Sequence, residues 1–158
     1  MWLVPVAVAI HNFEEALFVR AFVPFVNQRL RAILGPSAPD VTARTYFIAL
    51  AVVTIIPVVI AAAGDLSRKR GAAVYAMITM AVAMLLNVAV HLAGAILVGG
   101  YAPGLATAVA INLPLLAYVL RRAARERWVT RWAAITVAAI LLHGPGLWTL
   151  LLVARRFG

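Results

Sequence analysis

The sequence predicts an all-α integral membrane protein, a bundle of five transmembrane helices that forms a single domain over residues 1–158. Hydrophobic residues make up 65% of the chain and charged residues only 12%, against roughly 25% charged in an ordinary soluble domain. The mean hydropathy is +1.01. Apolar runs long enough to cross a hydrocarbon core about 30 Å thick, roughly 20 helical residues each, occur five times.

The first predicted span, at about 2–26, is the least regular. Its interruptions are Pro5, the segment HNFEE at 11–15, Arg20 and Pro24. It lacks the basic start and the small-residue cleavage site of a signal peptide, so we expect it in the mature protein. The stretch VNQRLRAIL at 26–34 follows, and its pattern predicts an interfacial amphipathic helix with Arg29 and Arg31 on the wet side.

Four more regular spans follow. They are predicted at about 45–63, 72–98, 104–120 and 132–153. The loops between them are short: a Gly/Pro segment ending at Asp40, the basic loop 64–71, the uncharged loop GGYAPG at 99–104, and the arginine-rich loop 121–131.

The basic residues predict the orientation of the chain in the membrane. The loops 64–71 and 121–131 together hold eight Lys and Arg residues, against five on the other side. The positive-inside rule therefore places these two loops and the N-terminus in the cytoplasm and GGYAPG outside. We expect a multi-pass protein of the cytoplasmic (inner) cell membrane.

The overall charge and the absence of cysteine limit the possible partners and sites. The net charge is +9, but because the basic residues lie between apolar runs we expect them to meet anionic lipid headgroups rather than nucleic acid. With no cysteine in the chain, disulfides, thiol nucleophiles and thiolate metal ligands are excluded.

Ionisable side chains inside the first span are the strongest functional signal. His11 lies three and four residues before Glu14 and Glu15, so a helix places all three on one face. Two adjacent carboxylates at low dielectric repel each other and need a proton or a cation. Arg20 is about 140° around the helix from Glu15, too far for a local salt bridge.

Other polar residues are predicted at a similar depth. Asn87 and His91 are four residues apart in the third span, Asn112 lies in the fourth and His143 in the fifth. A rise of about 1.5 Å per residue puts all of these groups roughly 15–28 Å from the cytoplasmic side. We therefore expect four helices to contribute to one polar site.

The residue types are those of a divalent metal site for Zn²⁺, Fe²⁺ or Mn²⁺. The candidate metal ligands are His11, Glu14, Glu15, His91 and His143. Glu14 is also the candidate base, while Asn87 and Asn112 are candidates for orienting the ligands. A proton or ion relay and purely structural polar packing between helices are the alternatives.

The loop GGYAPG is predicted to be a tight hairpin. Its glycines and Pro103 are typical turn residues, and Tyr101 is a typical interfacial anchor. A second interpretation has the loop capping the site, with the Tyr101 hydroxyl as a catalytic group.

Three short segments, HNFEE at 11–15, NVAVH at 87–91 and YAPG at 101–104, resemble in order the H-x-x-E-E, N-x-x-x-H and Y-x-P-G signatures of the HXXEE family of bacterial membrane proteins. That family has no assigned activity. The resemblance implies that the signature residues matter, including Tyr101, Pro103 and Gly104; His143 and Asn112 are not part of it. A weaker similarity to prenyl-protein proteases is not assigned, because Arg20 falls one residue too late for their E-E-x-x-x-R pattern.

Three kinds of function remain open from the sequence. The first is a metal-dependent enzyme, hydrolytic or oxidative, that acts on a lipid-like or other hydrophobic small molecule at an intramembrane His/Glu site. The second is a small proton- or ion-coupled transporter, for which so short a chain favours a homo-oligomer. The third is a non-catalytic membrane assembly factor.

Overall fold

Helices make up 83% of the computed structural model, which describes residues 1–66 and 70–157; these contain no strand. The long helices are α1 (Leu3–Leu34), α2 (Ala43–Leu66) and α3 (Arg70–Val98). The short helix α4 (Leu105–Thr107) continues through a π-helical turn, Ala108–Asn112, into α5 (Leu113–Arg125). Helix α6 (Trp132–Leu141) likewise continues through a π-helical turn, Leu142–Gly146, into α7 (Leu147–Ala154).

Four helical segments in the described ranges are long and apolar enough to cross a membrane: Ala43–Leu66, Gly71–Leu97, Leu105–Arg125 and Trp132–Ala154. They correspond to the second to fifth predicted spans. The 32-residue helix α1 is not in this group, because Glu14, Glu15 and Arg20 interrupt its apolar sequence. The all-helical prediction is confirmed. Helix length and apolar composition support four of the five predicted spans, not the first.

Helix α1 does not end where the first span was predicted to end. It continues without a break through Pro24 to Leu34, so the amphipathic stretch 26–34 is the last part of the same helix. Arg31 donates two hydrogen bonds to the carboxylate of Asp40, at 2.8 and 2.7 Å. Arg68 and Lys69 of the predicted basic loop lie outside the described residues.

Hydrogen bonds at both ends of the bundle show how the helices alternate. At one end, Trp2 Nε1 donates to Asp65 Oδ2 at 2.8 Å, and the hydroxyls of Tyr75 and Thr130 lie 3.0 Å apart. At the other end, the Asn27 amide exchanges two hydrogen bonds with the backbone of Val41, at 2.9 and 2.8 Å. Successive long helices therefore run in opposite directions.

The buried core is centred on α1, α3 and α5, and Ala61 of α2 and Ile135 of α6 also belong to it. Val8, Ala81 and Leu116 are 0% exposed there, and Ala123 closes the core toward one end. The outer surface is apolar as well; Leu66 and Ile96, for example, are 89% and 80% exposed. Large apolar side chains on the outside are typical of helices that contact lipid.

The segment between α3 and α4 folds back along α3. A Cβ atom at Gly94 would lie 4.0 Å from the Cβ of Ala102, and a Cβ at Gly104 only 2.7 Å from His91 Cε1. Since His91 is seven residues before the end of α3, α4 begins about 10 Å below that end. Non-helical backbone at such a depth needs protein around it, and Ala102 is only 4% exposed.

Candidate metal centre

One His/Glu group is found among the described residues. It consists of His11 and Glu15 of α1 and His91 of α3, whose ligand atoms all lie within 4.8 Å of one another. Glu15 Oε1 is 3.2 Å from His91 Nε2 and 4.0 Å from His11 Nε2. The two imidazole rings meet edge to face, with centroids 4.8 Å apart. The group could hold a metal ion.

The donor atoms of this group are almost closed off from the surroundings. His11 is 0% exposed, and the side chains of His91 and Glu15 are 10% and 12% exposed. Although His91 Nε2 lies close to Glu15, it has no aligned hydrogen-bond partner among the described residues. A buried nitrogen left in this state is unfavourable, and a shared cation would satisfy it together with the carboxylate.

The hydrogen bonds of His11 favour the tautomer that carries its proton on Nδ1. Thr107 Oγ1 donates to the carbonyl oxygen of Gly104 at 3.3 Å and lies 2.9 Å from His11 Nδ1, so it accepts the Nδ1 proton. The lone pair of His11 is then on Nε2, the atom nearest Glu15. Asn87 Nδ2 donates to this Nε2 at 2.7 Å, and an ion bound there would require the amide to turn aside.

Glu14 points away from this group, toward the folded-back segment. Its carboxylate accepts hydrogen bonds from the Tyr101 hydroxyl and from the backbone N–H groups of Ala106 at 3.3 Å and Thr107 at 2.7 Å. These N–H groups belong to the first turn of α4 and have no partner within the helix. Gly104 precedes that turn and has no side chain to cap it, so Glu14 caps α4 from the neighbouring helix.

Tyr101 is tied to Glu14 and also packs against Phe18, with ring centroids 5.6 Å apart. Loss of hydration, together with the hydrogen bond to Glu14, raises the pKa of Tyr101. Its hydroxyl therefore stays a proton donor at neutral pH. The structure thus places Glu14 and Tyr101 together, beside the His/Glu group rather than within it.

The last two residues of Y-x-P-G form a type II turn. The carbonyl of Ala102 accepts the N–H of Leu105 at 3.0 Å, Pro103 occupies the second position, and Gly104 has φ 84° and ψ −10°. The third position of such a turn needs a positive φ, which glycine adopts most easily. A Cβ there would also lie 2.8 Å from His11 Cε1 and 3.0 Å from Glu15 Cγ, so glycine is required for packing as well.

The candidate residues His143 and Asn112, which lie outside the three signatures, are not part of the His/Glu group. His143 lies in the second π-helical turn but is not one of the three clustered ligands. Asn112 ends the first π-helical turn and is 0% exposed. Neither polar atom of the Asn112 side chain has a hydrogen-bond partner within 1–66 and 70–157.

Several neighbours of the site carried no recognisable sequence signal. Thr107 contacts His11 through its hydroxyl and Glu14 through its backbone N–H, but threonine is common in helices. Tyr46 of α2 lies within range of the Glu15 charge. Asn12, inside HNFEE, binds in another direction: its amide donates to Thr54 Oγ1 of α2 at 2.7 Å.

The comparisons with known proteins identify a family. The model of a family described as "Protein of unknown function with HXXEE motif" matches residues 2–119. This range contains the His/Glu group, Glu14, Asn87 and the folded-back segment, and it ends before His143. No curated protein and no solved structure matches the chain.

Proposed function

The chain belongs to the HXXEE family of proteins of unknown function, and we propose that it is a membrane-embedded metal-dependent enzyme. In this proposal His11, Glu15 and His91 bind one divalent ion. The observation that carries it is the approach of two imidazole nitrogens and one carboxylate oxygen to within 4.8 Å of one another. The described residues offer this group no other cation: Arg20 is exposed, and the ion-pair partners of Glu15 are the two histidines.

Two histidines and one glutamate are a known catalytic ligand set. Such sites keep a coordination position open for water or substrate in zinc hydrolases, and related two-histidine, one-carboxylate sites hold Fe²⁺ in oxygenases. A bound divalent ion supplies Lewis acidity and lowers the pKa of a coordinated water to about 7. We favour hydrolysis, because it needs only water as co-reactant, and iron in the purified protein would instead favour the oxidative variant.

The surroundings of the site favour a lipid-like substrate. Glu15 and His91 are the two members of the group with some exposure. Phe18, which follows Glu15 by three residues on the same face of α1, is an exposed apolar side chain, as are Val90 and Leu92 on either side of His91. A substrate that reaches the group from the bilayer therefore has to be compatible with an apolar approach.

In the same proposal α1 is a fifth transmembrane helix. Its 32 residues are long enough, and Glu14 and Glu15 interact with other parts of the protein instead of facing lipid. Arg20 is exposed, and its long side chain can extend toward the membrane interface. We place this bundle in the cytoplasmic membrane, with the loop before α6 inside.

Metal analysis of the purified full chain, prepared without chelator, tests the proposal. We expect one equivalent of Zn²⁺, Fe²⁺ or Mn²⁺ in the wild type, and its loss in His11→Ala, Glu15→Gln and His91→Ala. His143→Ala is the matched control and keeps the metal, because His143 is outside the clustered ligands. A folded wild type without stoichiometric metal contradicts the metalloenzyme.

A proton- or ion-coupled carrier is the second candidate, and one observation favours it. Glu15 Oε1 and His91 Nε2 are only 3.2 Å apart, so a rotation of either side chain would align the two groups to share a proton. The test is proton flux in liposomes that contain the metal-free protein. Flux in the wild type that is lost in Glu15→Gln would support this carrier, in which a homo-oligomer supplies the pathway. If the purified protein holds no metal and shows no proton flux, the non-catalytic assembly factor is the function that remains.

A further inference from the structure

An apolar cavity lies at the N-terminal end of α1, about two helical turns before His11. It has a volume of about 450 Å³, within the range of small-molecule sites. Its apolar wall includes Val4 of α1, Val74 and Met77 of α3 and Val119 of α5. We call it the terminal groove.

The terminal groove is separate from the proposed metal site. Val4 is seven residues before His11, which corresponds to about 10 Å along the helix. Fully buried core residues, Val8, Ala81 and Leu116, fill the space between the helices at intermediate depth. The groove is therefore not an entrance to the His/Glu group.

The mouth of the terminal groove carries a fixed guanidinium group. Arg122 Nε donates to Glu126 Oε1 at 2.7 Å, and its guanidinium lies 5.6 Å from the centroid of the Trp128 ring. Trp128 Nε1 donates to the other oxygen of Glu126 at 2.8 Å, and Arg122 also donates to the Tyr118 hydroxyl at 3.3 Å. Tyr118, Arg122 and Trp128 all line the groove.

The charge around this mouth is strongly positive. Residues 121–127 contain four arginines and one glutamate, and that glutamate is already bound by Arg122 and Trp128. Arg125 follows Arg122 by three residues, so it lies on the same helix face, and it is exposed. An apolar groove with tyrosine, tryptophan and arginine at its opening has the chemistry of the membrane interface.

We propose that the terminal groove binds one acyl chain of an anionic phospholipid, with the phosphate of the headgroup at Arg122 and Arg125. The apolar walls take the chain, and the arginines compensate the negative charge of the headgroup. A zwitterionic lipid with the same chains makes the same apolar contacts, but its headgroup carries no net charge for the arginines to attract. Binding here requires no metal and does not depend on the proposed enzymatic activity.

Native mass spectrometry of the full chain in detergent tests this proposal, with phosphatidylglycerol and phosphatidylcholine of identical acyl chains as probes. We expect the wild type to retain phosphatidylglycerol preferentially. Arg125→Gln is expected to lower this preference about fivefold, the effect of one basic residue near a charged headgroup. Val74→Trp fills the groove and is expected to lower the retention of both lipids.

The paired substitution Arg155→Gln and Arg156→Gln is the control, because these exposed arginines lie at the other end of the bundle. It is expected to leave the preference unchanged. Equal retention of the two lipids by the wild type overturns the proposal. So does a loss in the control as large as in Arg125→Gln, which would indicate general attraction to basic residues. Since Arg125 is exposed, its variant remains informative even if Val74→Trp does not fold.

Discussion

Gly104 is the residue whose replacement has the clearest structural consequence. Alanine there would have to adopt φ 84° and place its Cβ within 3.0 Å of three side chains of the site. We expect Gly104→Ala to lower the free energy of unfolding by about 1–3 kcal/mol and to abolish binding of the proposed metal ion. Thermal denaturation and metal analysis of the purified protein measure both effects.

Gly100→Ala is the matched control for this prediction. Gly100 lies in the same loop, but a Cβ there meets open space and its φ is not positive. The control is expected to keep wild-type stability and metal. Equal behaviour of the two variants would mean that the close approach of Gly104 to His11 and His91 is unimportant.

Thr107 is expected to support the proposed metal site through its hydrogen bond with His11. In Thr107→Val the shape is retained, but His11 Nδ1 loses its hydrogen-bond acceptor. Loss of such a partner of a metal-binding histidine typically weakens affinity about 10- to 100-fold, which a titration against a competing chelator would measure. Thr54→Val, at the threonine that binds Asn12, is the control and leaves affinity unchanged. Unchanged affinity in Thr107→Val would show that Thr107 does not orient His11.

For single residues, the sequence indicated that His11, Glu15 and His91 lie close together, but not which helix each side chain faces. Spacing placed His11, Glu14 and Glu15 on one helix face, but adjacent residues on a helix point about 100° apart. Helix periodicity alone could not show that Glu14 faces α4 while Glu15 faces His91. That difference depends on which helix packs on each side of α1.

At the scale of elements, the start of α4 depends on a clamp between two distant segments. Glu14 binds both the Tyr101 hydroxyl and the first N–H groups of α4. We expect Glu14→Gln to speed hydrogen exchange at Ala106 and Thr107, because a neutral amide is a weaker partner for a helix N-terminus than a carboxylate. Hydrogen-exchange mass spectrometry of the segment 99–112 measures this.

The experiment on the clamp is completed by Tyr101→Phe and by the double variant that combines Glu14→Gln with Tyr101→Phe. Because Glu14 and Tyr101 bind each other, their effects on stability are expected to be non-additive, with a coupling of about 0.5–3 kcal/mol. The amides of α2 serve as an internal control, since α2 does not contact the clamp through these hydrogen bonds. Strictly additive effects would show that the two side chains act independently.

The sequence did not predict how far the segment 99–104 folds back along α3. Glycine and proline correctly indicated a turn, but a hydropathy pattern assigns a loop to the membrane surface. Only the packing of Ala102 and Gly104 against α3 shows that α4 begins deeper. The π-helical turns were also unpredicted, because one extra residue per turn hardly alters an almost uniformly apolar sequence.

At the scale of the whole molecule, composition and apolar runs of about 20 residues were sufficient to predict an all-helical bundle. A chain this apolar has to satisfy its backbone hydrogen bonds internally, and continuous apolar runs of this length are typical of membrane-spanning helices. Whether α1 crosses the membrane was harder to predict. Hydropathy treats Glu14 and Glu15 as penalties, whereas the structure gives both carboxylates partners inside the protein. The position of each carboxylate in the fold therefore depends on a residue 76 (Glu15 to His91) or 93 (Glu14 to Thr107) positions away.

The arrangement of the bundle ends gives a testable topology. The Trp2–Asp65 and Tyr75–Thr130 contacts place the start of α1 and the loop before α6 at one end, and the antiparallel helices place Gly100 at the other. Because the chain has no cysteine, single cysteines can be labelled without background. With a membrane-impermeant thiol reagent on intact cells, we expect Gly100→Cys to react and Arg127→Cys to react only after permeabilisation. The reverse pattern would overturn the orientation inferred from the basic residues but keep the bundle, whereas labelling of both from one side would contradict the antiparallel arrangement itself.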